Sequence, residues 1–379
     1  MDFTWTPAEQ HFRHQLRSTL DELVPPDYDA FALTEAEWAA NSKKFCPQLA
    51  ERGFLTPSWP TEYGGRDASP YEQVIVAEEM VRHGEPRGLQ YMGVNYIGPS
   101  IMLAGTPEQK NYHLSRIGAG DVLWCQGFSE PDAGSDLAAL RTRAVRAGGE
   151  YVINGEKIWT SASEVADFCF LLARTDAEAP KHKGLSLFLV PMDTTGISIH
   201  KIEGVVGDGA FHNVVFTDVR VPADTLLGEE NRAWSIVRRA LEFERVGVAK
   251  YARNERYLER FMDWAVDHGR AVDPAIRRQF AEATALVEMA RVLALRVATE
   301  RHHDRDEDGT AYIYRIACVW AEHAVMELGF ELMGSDSLID DGWPDRQLSW
   351  GLTAGVAGGT TEMQLNTVAQ LTLGLPRVT

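Results

Sequence analysis

"EYVINGEKIWTS", residues 150 to 161, decides how this 379-residue chain is read. It holds two strand-like runs on either side of Asn154-Gly155. That dipeptide accepts positive φ easily and is the strongest short-range hairpin signal. Further short runs follow: "DFCFLLART", "LSLFLVPM", "GISIHKI" and "NVVFTDVRVP", each β-branched or aromatic and divided by polar turns. Several such strands within about 100 residues predict a sandwich or barrel.

Outward from this block the periodicity changes. Toward the N-terminus, "AEQHFRHQLRSTLDELV" places Phe12, Leu16, Leu20 and Leu23 at helical spacing. "SPYEQVIVAEEMVRHG" reads as a helix capped by Ser69 and stopped by Gly84. Toward the C-terminus, residues 231 to 269 read as a long, little-broken helical stretch. Asp273-Pro274 starts another helix, and "AYIYRIACVWAEHAVMELGFELMG" another. The expected organisation is an N-terminal helical domain over 1–121, a central β-barrel-like domain over 122–230 and a C-terminal helical bundle over 231–379. Layers meeting in that order form clefts, which are common ligand sites.

"VAGGTTEMQ", residues 356 to 364, opens the last helix. Thr361 and Gln364 have capping-box spacing. Gly358 and Gly359 stand just before them, and paired glycines ahead of a helix let backbone approach a ligand.

Net charge is −18, which argues against nucleic acid or an anionic membrane as partner. Cys46, Cys125, Cys169 and Cys318 have no paired spacing, so a disulfide framework or zinc site is not expected and a reducing cytoplasm fits. No apolar run is long enough to span a bilayer, and "MDFTWTPAEQ" has no secretion-signal pattern. "HHDRDEDG", residues 302 to 309, has no metal-ligand spacing and reads as a solvated loop, so no metal is expected.

"FSEPDAGSD" (128–136) is a turn rich in backbone and hydroxyl donors, and Trp159 beside Thr160 and Ser161 could pack flat on an aromatic ligand. Read singly, each is as readily a surface loop or a core tryptophan. Together with "VVFTDVRVPADTLLGEEN" (214–231), "GGTTEMQLNTVAQLTLGLPR" (358–377) and "GFLTPSWPTEYGG" (53–65), they resemble the signature regions of the flavin-dependent acyl-CoA dehydrogenases, in family order and over nearly the whole chain.

That resemblance implies the acyl-CoA dehydrogenase fold, FAD as cofactor, an acyl-CoA substrate dehydrogenated at its α and β carbons, and an electron-transfer flavoprotein as acceptor. It implies flavin contacts at Gln126, Phe128, Ser129, Trp159, Thr160 and Ser161, with Thr360 and Glu362 beyond the paired glycines. Ser135 matches a contact to the CoA side of the substrate. Gly358 matches the residue whose backbone N–H stabilises the thioester oxygen.

Many members place the catalytic carboxylate where this chain has Gly358. A second subgroup places it on the helix after the β region, directly before an arginine. "ALEFERVGVA" (240–249) puts Glu244 and Arg245 there, so the resemblance implies Glu244 as base and Arg245 beside the substrate. Glu242 lies two residues earlier, roughly 200° around a helix, and cannot share that cleft. Homotetrameric members also carry an arginine and aromatic motif that reaches a neighbour's FAD. It is missing from "MDWAVDHGRAVDPAIRRQF" (262–280); "LMGSDSLIDDGW" (332–343) is degraded, and Leu365 stands where arginine is usual. Such chains resemble one subunit of heteromeric acyl-CoA dehydrogenases acting on bulky groups such as sterol side chains. A non-catalytic partner subunit is the alternative, but it would be expected to lose Glu244 and Trp159.

Overall fold

The structure, a computed structural model, describes residues 4–29, 33–206, 211–246, 249–303, 305, 309–338 and 343–376, with backbone alone for 242–246 and 343–347. Its helices are α1 (Pro7–Leu23), α2 (Glu35–Glu51), α3 (Pro70–Arg82), α4 (Gly98–Ala104), α5 (Pro107–Gln109) and α6 (Ser115–Ala119). After the strands come α7 (Trp234–Val246), α8 (Lys250–Asp267), α9 (Pro274–His302), α10 (Thr310–Met333), α11 (Trp343–Leu352) and α12 (Thr361–Leu371). The strands are β1 (Trp124–Gly127), β2 (Arg143–Ala147), β3 (Glu150–Thr160), β4 (Phe168–Arg174), β5 (Leu185–Pro191), β6 (Ile197–Ile202), β7 (Phe211–Pro222) and β8 (Leu226–Leu227).

The chain divides into two compact units. One comprises Met1–Ala32, Asp67–Glu85 and Arg245–Thr379, the other Leu33–Arg66 and Pro86–Glu244. The N-terminal helices are therefore shared between the units: α1 and α3 belong to the first, α2 and α4–α6 to the second.

The second unit carries the sheet, in the order β6-β7-β3-β2-β4-β5-β8, with β1 parallel on β4. It ends at β6 and β8, so the barrel-like expectation becomes an open sheet among the described residues. Its thinnest junction is internal. β2 meets β4 through one residue pair, Arg143 with Arg174, whereas β3 and β7 pair along most of their length. Tyr151, Ile153, Val214 and Val219 from one strand group share a buried cluster with Cys169, Leu171, Phe188 and Val190 from the other. β4 and β5 are buried almost throughout, as strands covered on both faces should be.

The hairpin expected at Asn154-Gly155 lies elsewhere. β3 runs straight through that dipeptide, and the turn falls at Gly148-Gly149, where Ala147 pairs with Glu150. Asn154-Gly155 marks an irregularity in the β3–β7 register instead. The Asn154 side chain donates to Asp218 at 3.0 Å and accepts from the Asp218 N–H at 2.9 Å. A Cβ on Gly155 would stand 2.6 Å from Thr142 Cα, so glycine serves close approach between strands.

The first unit is helical. α3 is capped by Ser69, as expected. Its Glu78 and Glu79 are buried and paired: Arg13 with Glu78 at 2.5 Å, and Arg17 to both Glu79 oxygens at 2.9 and 2.8 Å. Tyr251 on α8 donates to Glu78 at 2.8 Å. Phe261, Phe280, Val287, Ala290, Tyr314, Val325 and Leu328 form part of the core beneath. The expected long stretch after residue 231 is two helices, α7 and α8. No described helix is long and apolar enough to cross a membrane.

Candidate active site

In the sheet unit, β1 and β3 bring together most of the residues singled out in the sequence. The Ser129 carbonyl accepts from the Ile158 N–H at 2.9 Å, tying the turn after β1 to the end of β3. Gln126 accepts from the Tyr96 hydroxyl at 3.1 Å. Phe128 is buried and stacks on Phe170 at 5.7 Å between ring centroids. Trp159 behaves differently. Its indole is 57% exposed and its backbone has φ of 59°, a left-handed conformation uncommon for a bulky residue. Ser161 is half-buried beside it and Thr160 is buried. Ser135 lies farther along the turn, exposed, next to Asp136, which pairs with Lys181 at 2.5 Å.

The turn after β1 rests on a buried charge pair. Lys157 Nζ lies 2.8 Å from Glu130 Oε1 and donates to the Phe128 carbonyl at 3.0 Å. Glu130 also accepts from the backbone amides of Arg141 and Thr142, at 2.6 and 2.8 Å. Burial pushes the Glu130 carboxyl upward, but the Lys157 charge and these donors outweigh it and hold it below its ordinary value. Burial lowers Lys157 despite Glu130's opposing pull.

Sequence reasoning missed a second cluster in this unit. Glu35, at the start of α2, accepts from the Ala162 N–H at 3.0 Å. His212 on β7 is fully buried, and its Nδ1 lies 3.2 Å from the Thr160 carbonyl, so that nitrogen carries the proton. Glu164 Oε2 lies 3.7 Å from His212 Nε2 and 3.1 Å from Lys201 Nζ. Two carboxylates and an imidazole thus converge within 4.8 Å, with the Lys201 ammonium as counter-charge. No local motif links Glu35 to a strand more than a hundred residues away.

In the helical unit, Gly358 and Gly359 have φ of 69° and 93°. The Gln364 side-chain amide donates to both their carbonyls, at 3.0 and 3.1 Å. The helix cap is therefore Thr360, one residue earlier than expected, accepting from the Met363 N–H at 3.3 Å. Gln364 is taken up by the glycines rather than by a capping box. No acceptor among the described residues meets the Gly358 N–H. Glu362 is exposed in the first turn of α12. α7 belongs to the sheet unit as far as Glu244; its backbone carries residues 242–246, but the side chains of Glu242, Glu244 and Arg245 lie outside the described residues.

The chain belongs to the acyl-CoA dehydrogenase family. Family models match residues 6–121 (acyl-CoA dehydrogenase, N-terminal domain), 125–219 (middle domain) and 231–373 (C-terminal domain). It is thus an oxidoreductase acting on CH–CH bonds. Acyl-CoA dehydrogenase FadE26 of Mycobacterium tuberculosis is 32% identical, covering 100% of this chain and 99% of that protein. Acyl-CoA dehydrogenase IpdE1 of the same organism is 33% identical, covering 97% and 98%. Among solved structures, the Tcur3481-Tcur3483 steroid acyl-CoA dehydrogenase is 32% identical with a TM-score of 0.89, covering 100% of both chains. The ChsE4-ChsE5 complex from Mycobacterium tuberculosis is 31% identical with a TM-score of 0.88, again covering 100% of both.

Proposed function

We propose that this chain carries the catalytic side of an FAD-dependent acyl-CoA dehydrogenase that converts a bulky, sterol-type acyl-CoA to its trans-2-enoyl-CoA, with Glu244 as base. One observation carries the reading. The position where many members hold their base is a glycine, while the alternative glutamate, directly before an arginine, is kept on α7. Full-length likeness to two dehydrogenases, one described as steroid-acting and one as a complex, supports the substrate class and a two-chain assembly.

The residues present suit a flavin. An exposed indole on strained backbone, set edge-on to Phe211 at 6.1 Å between ring centroids and next in the chain to Ile158, whose N–H donates to the Ser129 carbonyl, offers a flat apolar face near polar groups. Gln126, Phe128, Ser129, Trp159, Thr160 and Ser161 would hold the ring, with Thr360 and Glu362 beyond the paired glycines. A bound flavin supplies the acceptor for the hydride leaving the β carbon. Glu244 takes the α proton. The Gly358 N–H donates to the thioester oxygen as that oxygen gains charge, which lowers the cost of removing a weakly acidic proton. Arg245 and Ser135 would meet the substrate.

Glu244→Gln keeps size and removes the carboxylate. It should retain flavin and lose on the order of 10²–10⁴ in turnover. Glu242→Gln should change little. A Glu244→Gln protein with full turnover would overturn the assignment of the base.

A further inference from the structure

The end of β3 and the turn that follows it contain two left-handed, non-glycine residues, Trp159 at φ 59° and Ala162 at φ 65°. Each costs about 1–2 kcal/mol relative to ordinary backbone, so something must hold them. The holders are Glu35 and His212. The Ala162 N–H donates to Glu35 Oε2 at 3.0 Å, and the Thr160 carbonyl faces His212 Nδ1 at 3.2 Å. Between them they fix the peptides on both sides of Ser161. The cluster also holds buried, unsatisfied groups: Glu35 Oε1, His212 Nε2, Thr160 Oγ1 and Ser163 Oγ.

We infer that Glu35 and His212 are positioning residues, which clamp the Trp159–Ala162 turn in the strained form that presents its side chains to the flavin, and that this clamp tightens when Glu35 is ionised. The inference rests on the proposed reading of Trp159, Thr160 and Ser161 as flavin contacts. A carboxylate accepts a backbone N–H more strongly than a neutral acid does. Burial, with Glu164 adding to it, pushes the Glu35 carboxyl up to about 7, against the backbone amides of Ala162 and Glu164 and the Lys201 charge. The charged and titratable groups facing Glu35 are Glu164, Lys201 on β6, His212 on β7 and the buried Cys125 thiol on β1. Above neutral pH the acceptor is therefore charged and the turn is held; below it the hold weakens.

The test uses the full-length protein as it assembles. Amide exchange over residues 159–166 is followed without flavin between pH 5.5 and 8.5, corrected for the intrinsic pH dependence. FAD affinity is titrated over the same range. Wild-type protection at Ala162 should drop roughly fivefold to tenfold below neutrality, the difference between a charge-assisted and a neutral hydrogen bond. Glu35→Gln should be weakly protected at every pH. His212→Ala should lose protection and His212→Asn, which returns a donor near the Nδ1 position, should regain it. FAD affinity should follow the same order. Unchanged protection in Glu35→Gln and His212→Ala overturns the clamp even if FAD binds. Changed protection with unchanged FAD affinity overturns its link to the flavin. A wild-type assembly that binds no FAD overturns the flavin reading itself, while the exchange data still judge the clamp. If Glu35→Gln fails to fold, the two His212 variants decide.

Discussion

Lys157 Nζ sits 2.8 Å from Glu130 Oε1, and neither side chain is more than 8% exposed. One residue comes from β3 and the other from the turn after β1, so the pair fastens two segments of the candidate active site. Lys157→Met would leave Glu130 buried without its counter-charge. The expected loss is about 3–5 kcal/mol of folding stability, read from the denaturant midpoint. Adding Glu130→Gln should recover much of it, because the uncompensated charge is then gone. A single variant as stable as wild type would show that Glu130 finds other compensation.

Gln364 bonds both glycine carbonyls ahead of α12. Gln364→Glu keeps the size but removes the donor, and should cost about 1–2 kcal/mol through the two carbonyls left unpaired. Turnover should fall with it if the Gly358 N–H acts on substrate, because Gly358 then keeps one tether of two, the Arg315 guanidinium that donates to the Ala357 carbonyl of the same peptide at 2.9 Å. A Cβ on Gly359 would meet Gln364 Nε2 at 2.6 Å. Gly359→Ala should therefore resemble the Gln364 variant. Steady-state kinetics beside denaturation of each variant separate the two effects; normal turnover in both would remove the case for a turn held by Gln364.

Glu35 gives stability a pH dependence opposite to that of most carboxylates. Its carboxyl is raised from 4.5 to about 7 in the folded protein, chiefly by burial. The folded state then binds more protons than the unfolded state between those values. Its contribution to global stability, from burying a neutral carboxyl, is fully present below pH 4.5 and is lost as pH rises to about 7, although the ionised group, while it stays in place, holds the Ala162 N–H more tightly. Glu35→Gln should abolish that part of the slope. Urea midpoints from pH 4 to 8 for both proteins provide the check, and parallel curves would contradict the raised value.

Assembly offers a stoichiometric prediction. On the proposed reading, a chain without the arginine and aromatic motif in residues 262 to 280 would lend no such contact to a neighbour's cofactor. Co-produced with a related chain that has the motif, it should form a complex of two copies of each, with one FAD per unlike pair. Native mass measurement with flavin quantitation reads both numbers. A homo-oligomer with one tight FAD per subunit and full activity would end the heteromer proposal.

The sequence by itself determined the helix, strand, helix order, because periodicities of 3.6 and 2 are local properties. It also marked the Ser69 and Asp273 helix starts, which depend on neighbours three residues away or fewer. It determined the family, because the signature segments keep their order. Tertiary structure decided the rest. Asn154-Gly155 carries a strong hairpin preference, yet pairing with β7 overrode it and the turn moved to Gly148-Gly149. The sheet stayed open because its end strands, β6 and β8, do not pair among the described residues, a long-range relation that no single strand encodes. Gln364 had the spacing of a capping partner, but two glycine carbonyls stood within its reach. Glu35 and His212 gave no signal at all, since each gains its role from a backbone group far away in the chain. Such roles depend on distances that only the folded chain sets.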